Sequence, residues 1–381
     1  MRTERPEKAQ DLAAVLKQAA DRGCPLSIQG NGTKAPWSRR ASTADLAVTT
    51  SGLNQVLRYD PKDLTISVQA GIAFAELSRL IAADGLMLPL DPPFYETATV
   101  GGVVACNSSG PRRRQYGTAR DMVIGMQLAT MAGQLVDCGG MVVKNVAGLD
   151  IAKLMIGSYG TLAALASVNF RLFPAPRGSR SFALEFASAS EAARRRDEIL
   201  GSVLQPCAID LLNPAGAQRL GREGCLLLIR AEGVEAVLDR WSREMQPAEQ
   251  LEGEPEAALW RSIREFVPEF LAQQPAGVVA RVSFTVSETG AVLASTGHPA
   301  LARAGNGVAF LCFPSAAEYL AWKQDNAGQP WKHVVEFASP EAAAGLDLWP
   351  DPGPDFTLME RLKDLFDPKR LLNPGRMYGR F

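Results

Sequence analysis

Residues 98–110 read Ala98-Thr-Val-Gly-Gly-Val-Val-Ala-Cys-Asn-Ser-Ser-Gly110. Small side chains alternate with hydroxyls and an amide over a length too polar for a core strand, and the stretch has none of the Lys or Glu that a solvated surface loop usually carries. Such a stretch can lie flat against a planar ligand. Its small side chains admit a ring system, and Thr99, Asn107, Ser108 and Ser109 offer hydrogen-bonding groups to phosphate or ribose oxygens. It sits inside a longer run, residues 91–117, rich in Gly, Ser, Pro and Thr and without a sustained helical or strand period. A long loop inside a compact domain is usually functional.

Working outward, regular elements flank this run on both sides. Upstream, Leu12, Val15, Leu16 and Ala19 share one helical face over residues 7–22, with Gly23 where a helix C-terminus wants it. A strand over residues 25–29 follows, then the turn Asp60-Pro-Lys-Asp63, the alternating strand Thr65-Ile-Ser-Val-Gln69 and a helix over residues 73–83 closed by Gly85. Downstream come a strand over residues 122–129, a helix capped by Asp150 that carries Ile151, Leu154 and Met155, and a strand over residues 162–173. The pair Pro174-Ala-Pro176 marks a domain boundary, after which the pattern restarts with Phe182-Ala-Leu-Glu-Phe186 and a helix over residues 190–200. A strand over residues 225–230 leads to a helix over residues 234–245, and further strands are expected at residues 278–284, 308–313 and 334–337. The last helix spans residues 358–366. The tail beyond residue 349 is too short to fold alone and must pack on an earlier domain. The class is α+β: a domain over residues 1–175, a second over residues 176–348 with an antiparallel sheet covered by helices, and a C-terminal segment over residues 349–381.

Two further stretches are candidates for ligand contact. Ile28-Gln-Gly-Asn-Gly-Thr-Lys34 follows a strand directly, and its glycines let backbone N–H groups approach an anion such as a pyrophosphate. It lacks the third glycine and following helix of a Rossmann fingerprint and the Gly-Lys-Ser/Thr of a P-loop, so by itself it reads first as an ordinary turn. Lys144-Asn-Val-Ala-Gly-Leu-Asp150, with Leu154 and Gly157-Ser-Tyr-Gly-Thr-Leu162, pairs a helix with a glycine turn. That is either a close backbone approach to a ligand or a plain helix C-cap. Arg112, Arg113 and Arg114 suit a phosphate, a partner's acidic surface or simply solvent.

Taken together and in order, these pieces resemble a known family. Gly30-Asn-Gly-Thr33, Asp91 with Pro92 and Pro93, Ala98-Thr-Val-Gly-Gly102, Asn107-Ser-Ser-Gly110, Tyr116-Gly-Thr-Ala-Arg-Asp121, Lys144 with Asp150, and Gly157-Ser-Tyr-Gly-Thr-Leu162 are similar to the FAD domain of vanillyl-alcohol-oxidase-type (PCMH-type) flavoproteins. Phe366-Asp-Pro-Lys-Arg-Leu-Leu-Asn-Pro-Gly-Arg376 resembles that superfamily's C-terminal signature. The resemblance implies a two-subdomain PCMH-type FAD-binding domain, then a cap domain, with the C-terminal segment returning to the FAD domain. It places Ile28, Gln29, Gly30, Asn31, Gly32, Thr33 and Lys34 on the pyrophosphate. Asp91, Pro92, Thr97, Thr99, Val100, Gly101, Gly102, Cys106, Asn107, Ser108 and Ser109 would run along the flavin and phosphates, and Tyr159, Gly160, Thr161, Leu162 and Leu165 would sit at the adenosine end. Ala163 and Leu149 depart from the residues the family often has at those places, which touches single contacts and not the site. No His precedes His298, so the FAD is expected to be noncovalent, with Cys106 read as a small packed residue.

Composition bounds the partners. Lys plus Arg number 40 against 41 Asp plus Glu, and the balance gives no electrostatic footprint for nucleic acid or an anionic membrane. Six cysteines without a C-x-x-C pair and only two histidines signal neither an iron-sulfur cluster nor a multi-histidine metal centre, so the chemistry falls to a cofactor. The charged N-terminus and the lack of a long apolar run point to a cytoplasmic protein without a transmembrane segment. The histidine segment of the D-2-hydroxyacid dehydrogenases is missing, since His298 and His333 stand in other settings. With the short length, and with Asn107-Ser-Ser-Gly-Pro-Arg112 and Lys144-Asn-Val-Ala-Gly148, this resembles the smaller FAD-binding subunit of bacterial glycolate oxidases. That resemblance implies glycolate oxidation to glyoxylate beside a catalytic flavoprotein subunit and an iron-sulfur subunit, and peripheral attachment to the inner membrane through them. A free-standing FAD-dependent 2-hydroxyacid or alcohol dehydrogenase, or an assembly subunit that has lost FAD, stays open. Residues 180–345 receive no catalytic assignment.

Overall fold

The structure, a computed structural model, describes residues 2–34, 44–141 and 150–380. Lys144, Gly148 and Leu149 of the third motif therefore lie outside the described residues. The chain divides into two units, one built from Met1–Ser109, Gly117–Ala175 and Asp351–Phe381 and the other from Gly110–Tyr116 and Pro176–Pro350.

The first unit holds two main sheets of different kinds, besides a two-stranded antiparallel pairing of Leu86–Met87 with Phe173–Pro174. A three-stranded parallel sheet places Leu46–Thr49 between Arg2–Glu4 and Leu26–Gln29. A five-stranded antiparallel sheet runs in the order Val56–Asp60, Thr65–Gln69, Ala164–Arg171, Val123–Ala129 and Leu135–Gly139. Helix Ala9–Arg22 buries Leu12, Ala13, Leu16 and Ala19 and stops at Gly23, whose left-handed backbone lets its N–H reach the carbonyls of Ala19 and Ala20. The same core takes in Leu26, Val48, Ala164, Ala166, Leu371 and Leu372. Fully burying a leucine side chain stabilises by about 1.5–3 kcal/mol, so this cluster is what joins helix, sheets and C-terminal tail. The tail extends the parallel sheet: Leu26 N–H donates to the Leu371 carbonyl at 2.9 Å, and Asn373 N–H donates to the Leu26 carbonyl at 2.8 Å.

The second unit is an eight-stranded antiparallel sheet in the order Glu249–Leu251, Gly178–Phe186, Cys225–Gly233, Ala208–Leu212, Ala300–Arg303, Val308–Phe313, Val278–Ser283 and Lys332–Ala338. Helices Ala189–Gly201, Glu235–Glu244 and Ala316–Asp325 contribute Ala192, Ile199, Leu238, Trp241, Tyr319 and Trp322 to its core. Strand Ala208–Leu212 is buried at every position, so it shows no period-two alternation and escapes a periodicity reading.

The run over residues 91–117 is more ordered than its composition suggests, because Val100–Ala105 forms a helix and Arg113–Tyr116 a short one. Two glycines and three valines in six residues oppose a helix by propensity. Tertiary context overrides this. The Thr99 side chain caps the Gly102 N–H, Val100, Val103 and Val104 are buried, and Gly101 lies so close to the preceding strand turn that a Cβ there would stand 2.8 Å from Ala70 Cβ.

Candidate cofactor site

A cleft of about 480 Å³ opens in the first unit, within the usual range for a small-molecule site. Its walls come mainly from three chain segments and one tail residue, with Ala44, Thr50 and Ala70 completing the lining. Strand Leu26–Gln29 delivers Ser27, Ile28 and Gln29 and continues into Gly30, Asn31, Gly32, Thr33 and Lys34. Helix Val100–Ala105 and its flanks supply Ala98, Thr99, Gly101, Gly102, Val103, Ala105 and Cys106, while Tyr159, Gly160, Ala163 and Leu165 come from the turn and strand beyond residue 157. Arg376 comes from the tail. Among the described lining residues the charged side chains are Lys34 and Arg376, both cationic.

Close packing explains the glycines. A Cβ on Gly30 would stand 2.0 Å from Thr99 Oγ1, and Gly30 is not in the left-handed region, so it is needed for room. Gly32 (φ 69°) and Gly160 (φ 69°) are needed for backbone conformation. The first loop is tied to the second by Asn31 Nδ2, which donates to the Thr97 carbonyl at 2.9 Å, and by Lys34 Nζ, which donates to Ser108 Oγ. Thr49 Oγ1 donates to the Gly30 carbonyl at 2.9 Å. The third segment hangs from the helix end: Tyr159 N–H donates to the Ala105 carbonyl at 2.9 Å.

The tail locks these parts. Asn373 is buried; its Oδ1 accepts from Ile28 N–H at 2.9 Å, and its Nδ2 donates to the carbonyls of Tyr159 at 3.1 Å and Gly160 at 2.9 Å. Behind it Lys363, fully buried, donates to the Thr161 carbonyl (2.8 Å), the Leu372 carbonyl (2.9 Å) and Asp367 (2.7 Å). Burial pulls the Lys363 ammonium below its ordinary range, and Asp367 opposes that.

The residues expected from sequence distribute unevenly over this site. Ile28, Gln29, Gly30, Asn31, Gly32, Thr33, Lys34, Thr99, Gly101, Gly102, Cys106, Tyr159, Gly160 and Leu165 line the cleft. Ser108 is buried and takes part through Lys34, and Thr97 through its carbonyl. Val100, Thr161 and Leu162 are buried and do not line it. Asp91 (φ 47°) and Pro92 are not among the residues that line it. Asn107 (φ 49°) and Ser109 flank the lining, and Asn107 Oδ1 is buried with no hydrogen-bond partner among the described residues. Sequence reasoning did not assign Arg376, Asn373 or Lys363 to the site. Arg376 carried a signal, its place at the end of the quoted C-terminal motif.

The residues present suit FAD: glycine and alanine walls that a larger side chain would fill, two cations for a diphosphate, and a buried orphan acceptor in Asn107. A parallel and an antiparallel sheet joined around such a cleft, followed by a large antiparallel-sheet unit, define a class: the PCMH-type FAD-linked oxidoreductases. Comparison with known proteins agrees. A family described as "FAD binding domain" matches residues 3–139, and one described as "FAD linked oxidases, C-terminal domain" matches residues 352–377. The chain is 31% identical to glycolate oxidase subunit GlcE of Escherichia coli over 97% of both chains. It is 26% identical to a D-lactate dehydrogenase of Archaeoglobus fulgidus, covering 98% of this chain and 90% of that one. Among solved structures, the 4-ethylphenol oxidase of Gulosibacter chungangensis shares the fold with a TM-score of 0.75 at 15% identity, over 100% of this chain and 89% of that one. The chain belongs to the FAD-linked oxidoreductase family that includes E. coli GlcE, and its cofactor is FAD.

No described helix is long and apolar enough to cross a membrane. Among the described residues no group of three or more His, Cys, Asp or Glu side chains is placed to hold a metal ion.

Proposed function

We propose that this chain is the FAD-binding subunit of a glycolate oxidase complex, acting in the oxidation of glycolate to glyoxylate beside a catalytic flavoprotein subunit and an iron-sulfur subunit. The observation that carries this reading is the end-to-end similarity to GlcE, 97% of each chain, rather than a match confined to the FAD-binding half. In the reaction glycolate gives up two electrons and two protons. FAD, when bound, supplies a two-electron acceptor, and from it electrons pass to the iron-sulfur partner.

On this reading residues 28–34, with Lys34 and Arg376, hold the diphosphate by charge and backbone N–H groups. Tyr159, Gly160 and Leu165 meet the adenosine end, and Cys106 with its neighbours lies along the rest of the cofactor. The flavin is held noncovalently. The protein works in the cytoplasm and reaches the inner membrane through its partners.

A second reading, a free-standing 2-hydroxyacid dehydrogenase, is favoured by the D-lactate dehydrogenase relative, which also matches over 90% of its length. One experiment separates them. The purified chain is expected to show flavin bands near roughly 375 and 450 nm, and anaerobic glycolate and D-lactate are added with and without candidate partner subunits. Bleaching only with partners supports the complex subunit. Bleaching of the isolated chain selects the free-standing dehydrogenase, and turnover of the complex undiminished when this chain is left out overturns the proposal.

A further inference from the structure

The geometry points to Asn373 as a positioning residue for the cofactor, one that sets the registration of the two cofactor loops and the placement of Arg376; this rests on reading the cleft as the seat of FAD. Asn373 has a left-handed backbone (φ 49°), which asparagine tolerates better than most residues. Its amide spans segments remote in sequence: Oδ1 accepts from Ile28 N–H, at the root of the first glycine loop, and Nδ2 donates to the Tyr159 and Gly160 carbonyls. Tyr159 (φ 53°) and Gly160 (φ 69°) are consecutive left-handed residues, a conformation that has to be held from outside. Gly160 has no room for a Cβ because Asn373 Nδ2 would lie 2.9 Å away. The backbone of Asn373 then begins the turn that carries Arg376 to the cleft, with Arg376 N–H donating to the Asn373 carbonyl at 3.1 Å and Gly375 at φ 75°.

One side chain thus holds the Ile28 loop against the Tyr159 turn while its own main chain aims a cationic wall residue. A leucine or alanine at 373 would keep the tail's apolar packing through Leu371 and Leu372 and lose the registration. Asn373 acts on the cofactor through its neighbours, so its effect and that of Arg376 should not be independent.

The test measures FAD dissociation constants of the full chain, well below its unfolding temperature, for wild type, Lys34→Ala, Arg376→Ala, Asn373→Ala, Asn373→Asp and the Asn373→Ala/Arg376→Ala double variant, with visible circular dichroism of the bound flavin. Losing three hydrogen bonds at the site should weaken FAD by about 30-fold in Asn373→Ala, and losing the cation by about tenfold in Arg376→Ala. The double variant should bind little worse than Asn373→Ala, because Arg376 is already misplaced. Asn373→Asp keeps the acceptor for Ile28 and loses both donors. Its second carboxylate oxygen then faces the Tyr159 and Gly160 carbonyls, so it should weaken FAD at least as much as Asn373→Ala, with an altered flavin dichroism. Asn373→Gly, which suits the left-handed backbone, carries the same comparison if Asn373→Ala does not fold. A residue needed only for stability would lower the melting temperature and leave affinity and dichroism unchanged, which overturns the inference; so do single effects that simply multiply. If Lys34→Ala and Arg376→Ala both bind FAD like wild type, the cleft itself is misread and the inference falls with it. Weakening by these two without weakening by Asn373→Ala sinks the inference alone.

Discussion

Replacing Gly30 with alanine isolates the steric demand of the cofactor cleft from every other role of glycine. Gly30 is not left-handed, so alanine meets no conformational penalty there. Its Cβ would lie 2.0 Å from Thr99 Oγ1, 2.9 Å from Thr99 Cγ2 and 3.0 Å from Thr99 Cβ. Contacts between such atoms are comfortable at about 3.5–4.0 Å, so the loop and the helix start must separate or Thr99 must turn away. Turning Thr99 gives up its cap on Gly102 N–H, which costs about 1 kcal/mol, and overpacking a tight site costs about 1–3 kcal/mol. Together these predict roughly 2–4 kcal/mol of lost stability, a melting temperature lower by about 4–16 °C for a domain of this size. FAD affinity should fall as well, since both residues line the cleft. Thr99→Gly removes all three clashing atoms. In that background Gly30→Ala should cost at least about 1 kcal/mol less, a coupling measurable by a double-mutant cycle in thermal melts of the apoprotein. Additive effects of the two substitutions would refute the packing argument.

Other perturbations give separate expectations. Gly71→Ala should be far worse than Gly30→Ala, because its Cβ would meet the Thr50 carbonyl oxygen at 1.8 Å, and backbone cannot rotate aside; expression of folded, FAD-binding protein checks this. Lys363→Met strands Asp367 in the core and should destabilise by about 3–5 kcal/mol, read by urea denaturation, with Lys363→Met/Asp367→Leu recovering part of the loss. Alkylation of the native apoprotein at pH 8 should label Cys24 and Cys106, the half-buried thiols, and spare Cys138, Cys207, Cys225 and Cys312. Burial pushes Cys207 well above the ordinary thiol range and Cys312 up to about 12, which leaves no reactive thiolate. Saturating FAD should then protect Cys106 and not Cys24, as mass spectrometry of the labelled peptides would show.

Local signals made some elements legible and hid others for identifiable reasons. Helix Ala9–Arg22 declares itself through a one-sided apolar stripe and a glycine stop, and Thr65–Gln69 through a turn followed by alternating polar and apolar residue types, although its first four positions are all buried. Strands Ala208–Leu212 and Ala300–Arg303 are buried at every position, so the two-residue period that marks a strand is absent. Helix Val100–Ala105 runs against its own propensities and exists because Thr99 caps it and the sheet receives its valines. The three cofactor loops could be found one by one from their small residues. Which loop touches which could not, because Asn31 meets Thr97, Lys34 meets Ser108 and Asn373 meets Ile28 across long sequence separations.

The glycines make the same point more sharply. In the letters of the sequence Gly30, Gly32, Gly101 and Gly160 are alike, and a motif reading treats them as one signal for close backbone approach, while Gly71 stands outside every motif. The structure splits them. Gly32 and Gly160 adopt left-handed backbone, so asparagine is their least damaging replacement wherever its side chain fits. Gly30, Gly71 and Gly101 do not, and are held by Thr99, by the Thr50 carbonyl and by Ala70 respectively. Among these three, only at Gly30 do all the obstructing atoms belong to one removable side chain, since backbone oxygens also crowd Gly71 and Gly101. A cleft built this way tolerates drift at its exposed rim and almost none where loop meets helix and tail. A tail residue 345 positions from Ile28 therefore constrains the first glycine loop as directly as its own neighbours do.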